Sequence, residues 1–136
     1  MALTVLFIED DAIEVMKLHR TIKKLNVNHK IVEAENGEEA LKILKEKRVI
    51  PDIILLDLNM PKMNGIEFLK ILKEDEVLKY IPSIILSTSN NRHDVMECYQ
   101  TGIAGYILKP LKYEEYVEKI GKTLEYWNAN ELIKAS

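Results

Sequence analysis

The sequence predicts an α/β domain of the doubly wound kind: a parallel five-stranded sheet with helices on both faces, a (βα)5 sandwich of three layers. Three observations carry this. Short apolar runs alternate with longer amphipathic ones five times over. Turn-forming residues punctuate the alternation. The short runs are apolar almost throughout, as strands buried on both faces are. A chain of 136 residues has the length of one domain and can bury a good core.

The elements follow in order. "LTVLFI" (3–8) reads as the first strand, and Val15, Leu18, Ile22 and Leu25 then keep helical spacing. "HKIVEA" (29–34) reads as the second strand; "ENGEEA" (35–40) is an Asn-Gly turn into a helix carrying Ala40, Leu41 and Leu44. "DIILLD" (52–57) is the third strand, "MPKMNG" (60–65) a loop with two breakers, and Ile66, Leu69 and Leu72 the next helical stripe. "PSIILS" (82–87) is the fourth strand. The helix after it, "NRHDVMECYQTG", has no clean apolar stripe and should end at Gly102. "AGYIL" (104–108) is the fifth strand, where Gly105 would admit a tight approach. The last helix carries the stripe Tyr113, Val117, Ile120, Leu124 and Trp127. Pro82 and Pro110 fall outside element interiors.

Composition narrows the function. Nearly half the residues are apolar, and the formal charge of −3 gives no electrostatic reason to bind nucleic acid or anionic membranes. No apolar run approaches the roughly 20 residues of a membrane span, and "MALTVLFIEDD" turns acidic too early for a signal peptide. A single cysteine, Cys98, excludes an internal disulfide, fits a reducing cytoplasm and reads as a half-buried helix residue.

In a sheet of this kind, ligands bind beyond the carboxyl ends of the strands, near the point where strand order reverses. Chemistry collects there. Strand one ends in Glu9, Asp10 and Asp11; strand three in Asp57, followed by Asn59; strand four in Ser87 and Thr88; strand five in Lys109 and Pro110. Carboxylates converging on one crevice repel unless a cation joins them, and Mg²⁺ suits oxygen ligands of this sort. A metal, an ammonium and a hydroxyl around one carboxylate describe a site for phosphoryl transfer, with Asp57 the natural acceptor. Asp11, by its register after the strand, reads as a helix cap rather than a ligand.

The acidic pair after strand one, "DLNMPKMNG" after strand three, "LST" after strand four and "YILKP" after strand five resemble the receiver domain of the two-component response regulators. The likeness is closest to the stand-alone chemotaxis-type regulators and covers about residues 3 to 127. The resemblance implies a flavodoxin-like fold with strand order 2-1-3-4-5. It implies that Asp57 is the phosphoacceptor, and that Asp10, Glu9, Asp57 and the backbone carbonyl of Asn59 hold Mg²⁺, Glu9 mainly through a water or by shaping the site. It further implies that Ser87 is a switch hydroxyl, that Lys109 binds a phosphoryl oxygen, that Tyr106 swings inward when Ser87 moves, and that the Lys109–Pro110 peptide is cis. Glu9 replaces a common aspartate, and Thr88 stands where many receivers have alanine, narrowing access to the phosphoryl group. "LSTSNNRHDV" and "GKTLEYWN" also resemble the small regulators associated with phytochrome-type histidine kinases.

The expected function is that of a single-domain, cytoplasmic response regulator. It takes a phosphoryl group from a sensor histidine kinase or phosphotransfer protein and alters the surface of helix four, strand five and helix five for a protein target. Residues 128–136 are expected to be a short tail with no output domain. A homodimer through the helix-four to helix-five face, with Tyr99, Tyr113 and Tyr116, is a further expectation. Two other classes compete. A phosphatase of the haloacid dehalogenase type would need an aspartate acid/base two residues after its nucleophile, and Asn59 cannot shuttle a proton. A phosphate-independent docking module would not need the intact constellation.

Overall fold

Val5 to Ile8 and Ile53 to Leu56 are apolar without interruption, so neither run can face water on one side, and both lie at the centre of the molecule. The computed structural model describes residues 2–60 and 62–133. It forms one parallel sheet from β1 (Thr4–Ile8), β2 (Lys30–Ala34), β3 (Ile53–Leu56), β4 (Ser83–Ser87) and β5 (Gly105–Leu108), ordered β2-β1-β3-β4-β5. The expected fold and strand order are thus observed. The helices are α1 (Ala12–Lys24), α2 (Gly37–Leu41, continued as a π-helical turn over Lys42–Glu46), α3 (Gly65–Glu74), α4 (Arg92–Thr101) and α5 (Tyr113–Asn128).

The period-two alternation of strands divides the core in two. Leu6, Ile8, Ile54, Leu56 and Ile85 point to the face covered by α2, α3 and α4, where they meet Ala40, Phe68, Leu72 and Cys98. Val5, Phe7, Ile53, Leu55, Ile84 and Leu86 point to the other face, against Leu18, Ile22, Tyr116, Ile120 and Leu124. The edge strands β2 and β5 are only partly covered.

Helix starts are chemically marked. Asp11 caps α1 by accepting from the Ile13 N–H, and Asn36 caps α2 through the Glu39 N–H. Asn64 and Glu67 form a reciprocal capping box on α3. Gly102 ends α4 at φ +110°, a conformation that favours glycine.

Three expectations change. Gly105 needs no close approach, because a Cβ there would meet only Ile84 Cγ2 at 3.9 Å. Cys98 is wholly buried rather than half-buried, α4 turning it onto the sheet. Tyr116, expected on a dimer surface, is 1% exposed and is core, whereas Tyr99 is 50% exposed. A helix lying flat on a sheet buries the 3/4-spaced row Tyr116, Ile120 and Leu124, leaving Tyr113, Val117 and Trp127 at its margins. No described helix is long and apolar enough to cross a membrane.

Candidate functional site

Because β2 and β3 flank β1 on opposite sides, strand order reverses between β1 and β3. Their carboxyl ends are in register, Ile8 beside Leu56, and the Asp57 N–H donates to the Ile8 carbonyl at 3.0 Å. Glu9 and Asp57 therefore leave the sheet side by side. One carboxylate oxygen from each of Glu9, Asp10 and Asp57 lies within 4.8 Å of the others. Glu9 is buried, Asp57 partly so and Asp10 exposed, which makes a wall, a floor and a mouth.

The close packing of α3 shapes this floor. A Cβ on Gly65 would stand 2.8 Å from the Asp57 carbonyl and 3.0 Å from Leu58 Cα, so only glycine lets the helix start against the Asp57–Leu58 backbone. The Gly65 N–H donates to the Leu58 carbonyl at 3.0 Å. Asn59, two residues past Asp57, is exposed, and its backbone N–H bonds to the Asp57 carboxylate.

Electrostatics express the crowding. Burial, opposed by Lys109 and reinforced by the charge of Asp57, pushes the Glu9 carboxyl up to about 7. Burial also raises Asp57, although Lys109, the Asn59 N–H and a hydrogen bond with Glu9 favour its charged form. At Lys109, burial pulls down, but the attraction of Glu9, Glu14 and Asp57 outweighs it and the ammonium is held above its ordinary value. A cluster of oxygen donors that resists ionising without a counter-charge fits a hard divalent cation.

Lys109 comes from the end of β5, where its N–H donates to the Ser87 carbonyl at 2.8 Å. Its ammonium pairs with Glu9 at 3.2 Å and Glu14 at 3.0 Å, and among the described residues not with Asp57. The Lys109–Pro110 peptide, expected cis, is trans. The strand pairing carries Lys109 straight off β5, and the trans isomer is ordinarily favoured by about 0.5–1 kcal/mol. Ser87 is buried, and its hydroxyl accepts from the Ser89 N–H at 3.1 Å. Thr88 is exposed. The Tyr106 hydroxyl donates to the Ser89 carbonyl at 2.6 Å, with its ring against the α3/α4 side of the core.

Sequence reasoning did not single out Glu14, Ser89 or Gly65. Glu14 sits in the pattern Asp11-x-x-Glu14, which resembles a capping box. Here the reciprocal half is taken by Glu9, whose Oε2 accepts from the Asp11 N–H at 3.2 Å, leaving Glu14 to reach Lys109. Ser89 joins Ser87, Tyr106 and Asp94, the last through a 2.7 Å hydroxyl–carboxylate bond. A serine in a polar loop carries no sequence signal for such a role. Gly65 was visible only as a breaker.

Comparison with known families agrees with this geometry. The family model for the response regulator receiver domain matches residues 5–121. The chain belongs to that family. Among solved structures, the phosphorylated cyanobacterial phytochrome response regulator RcpA is similar with a TM-score of 0.91 and 29% identity, covering 98% of this chain and 100% of that one. The Mn²⁺-bound form of the response regulator Rcp1 has a TM-score of 0.86 and 27% identity, covering 98% of this chain and 99% of that one. A probable methanogenesis regulatory protein, FilR2 of Methanothrix harundinacea (strain 6Ac), is 32% identical over 50 residues, 37% of this chain; the match spans about a third, 32%, of that relative's length. Membership in the receiver family, with asparagine at position 59, leaves the haloacid dehalogenase reading without support.

Proposed function

We propose that this receiver is the phosphorylated switch of a two-component relay, with Asp57 the acceptor. The observation that carries the reading is the meeting of Glu9, Asp10 and Asp57 at the point where strand order reverses, with Lys109 brought to the same place by β5. An Asp57 carboxylate oxygen attacks the phosphorus of a phosphohistidine on a kinase or phosphotransfer protein. The P–N bond breaks, its electrons stay on the imidazole, and an acyl phosphate forms. Mg²⁺, held by Asp10, Asp57, the backbone carbonyl of Asn59 and, directly or through water, Glu9, would neutralise charge on the transferring oxygens. On this reading the chain is a signalling phosphoacceptor rather than a turnover enzyme, with self-phosphorylation and self-dephosphorylation as its own chemistry.

The same residues supply the readout. Lys109 turns from its carboxylate partners to a phosphoryl oxygen, and Ser87 gives up the Ser89 N–H to donate to another. Ser89 also carries the Tyr106 hydroxyl and Asp94 of α4, so its displacement frees the ring and the first turn of that helix. Phosphorylation thereby biases the surface of α4, β5 and α5 towards a protein target. Ile13 and Met16 on α1 and Leu111 after β5 are exposed apolar residues at the same end of the sheet, suited to a docking donor. Likeness to phytochrome response regulators favours a light-sensing histidine kinase as donor, in the cytoplasm. A homodimer would use the exposed Tyr99.

The test is transfer of label from a radioactive phosphodonor with Mg²⁺ present. Asp57→Asn should lose more than about a hundredfold in labelling rate, since the nucleophile is gone. Labelling of this variant at the wild-type rate would refute the proposal.

A further inference from the structure

Lys109 is not free to meet a phosphoryl group. Its side chain is 10% exposed, and its ammonium is shared between Glu9 and Glu14. The two carboxylates differ in what else they serve. Glu9 belongs to the acidic cluster, so a cation there would take up its charge; Glu14 lies outside the cluster, on the first turn of α1, and keeps its hold on Lys109 at 3.0 Å. Two of the three ammonium donors are engaged, so a phosphoryl group that recruits the amine competes with Glu14 for its charge.

A displaced Glu14 has somewhere to go. Its other oxygen is 3.8 Å from Lys17 Nζ, and that ammonium lies 4.3 Å over the ring of Tyr116. The Tyr116 hydroxyl is buried and makes no hydrogen bond among the described residues, an unfavourable state for a buried donor. Burial raises its pKa above the ordinary tyrosine value, and the charges of Glu14 and Glu9 raise it further, as they do when a hydroxyl faces carboxylates.

We propose that Glu14 is a positioning residue that latches Lys109 in the unphosphorylated protein, and that phosphorylation opens the latch, sending the Glu14 carboxylate to Lys17 and the unpartnered hydroxyl of Tyr116. This rests on Asp57 as the acceptor. No covalent bond changes; the Lys109–Glu14 pair and one orphaned donor are exchanged for one new ion pair, between Lys109 and the phosphoryl group, a tightened Glu14–Lys17 pair and a satisfied hydroxyl. The signal then enters the seam between α1 and α5 as well as the surface of α4, β5 and α5.

The experiment uses the full chain with Mg²⁺ and beryllofluoride, a stable mimic of the acyl phosphate. Wild-type adduct formation tests the acceptor reading by itself: no Mg²⁺-dependent adduct on the wild-type protein sinks that reading, and the latch with it. Given an adduct, Glu14→Gln should tighten apparent beryllofluoride binding by about three- to tenfold, the scale of a partly exposed ion pair, and Glu14→Asp should restore part of the wild-type behaviour. In the metal-free protein the ¹⁵N resonance of the Lys109 ammonium should shift in Glu14→Gln. Tyr116→Phe should leave the unfolding midpoint of the free protein unchanged or higher, yet weaken the adduct by at least about twofold, since its hydroxyl works only after the latch opens. Binding by Glu14→Gln less than twofold tighter, or weaker, would overturn the latch. So would a Tyr116→Phe variant that destabilises the free protein.

Discussion

Helices α4 and α5 flank the same edge strand, and each begins just after a residue of the site, Ser87 or Lys109, yet they are held in opposite ways. α5 sets Tyr116, Ile120 and Leu124 into the core beside Leu18, Ile22 and Phe7. α4 buries Cys98 alone and is tied by its first turns and its end: Asn91 accepts from the His93 and Asp94 N–H groups, Ser89 bonds Asp94, and Gly102 closes the helix. A helix with a packed apolar stripe moves only by opening the core, whereas one held by terminal hydrogen bonds moves when these are rearranged. The contrast assigns α5 the part of a fixed wall and α4 that of a follower, with Ser89 as the link between α4 and the site.

The contrast can be broken in both directions. The largest effect should come from the wall: Leu124→Ala should cost about 3 kcal/mol in denaturant unfolding, through lost burial and a cavity. A loss below about 1 kcal/mol would mean that α5 is no better anchored than α4.

Next comes the charge cluster on the α1/α5 side. A Glu9 carboxyl raised from 4.5 to about 7 makes the folded, metal-free protein bind a proton that the unfolded chain has released. The stability it contributes is fully present below its unfolded value and lost as pH rises through 7. Mg²⁺ must compete with that proton, so its affinity should fall roughly twentyfold between pH 7.5 and 5.5, measured by titration calorimetry. Constant affinity over this range would show that Glu9 does not feel the cation.

The smallest effect should come from the follower. Asn91→Ala should cost about 1 kcal/mol, the usual loss of an N-cap, and hydrogen exchange should quicken in α4 while α5 stays protected. Equal quickening in both helices would show that they move as one unit.

The same two helices mark how far the sequence could be read. The stripe of α5 was legible because apolar residues recur at helical spacing, and the absence of one in α4 was equally visible. Which of two adjacent rows on α5 faces the sheet was not, and Tyr116 moved from surface to core accordingly. At the site, Glu9, Asp10, Asp57, Ser87 and Lys109 were found because buried strands end where their last residues must enter the crevice. Glu14 and Ser89 were missed, since both owe their roles to distant partners. The trans Lys109–Pro110 bond stands apart from these: it is the isomer an X–Pro dipeptide ordinarily favours, and the cis expectation came from the family resemblance alone.

The amino-acid order alone therefore determined five parallel strands, their helices, and the carboxylates, hydroxyl and amine that leave the sheet at one end. Strand periodicity and strand ends place these side chains at one end of the sheet, and that is local information. Only the tertiary structure decided that the Lys109 amine pairs with Glu14 as well as Glu9, and that Ser89 gathers Ser87, Tyr106 and α4. A long, charged side chain chooses its partner by distance and burial across elements far apart in sequence, and no spacing along the chain encodes that choice.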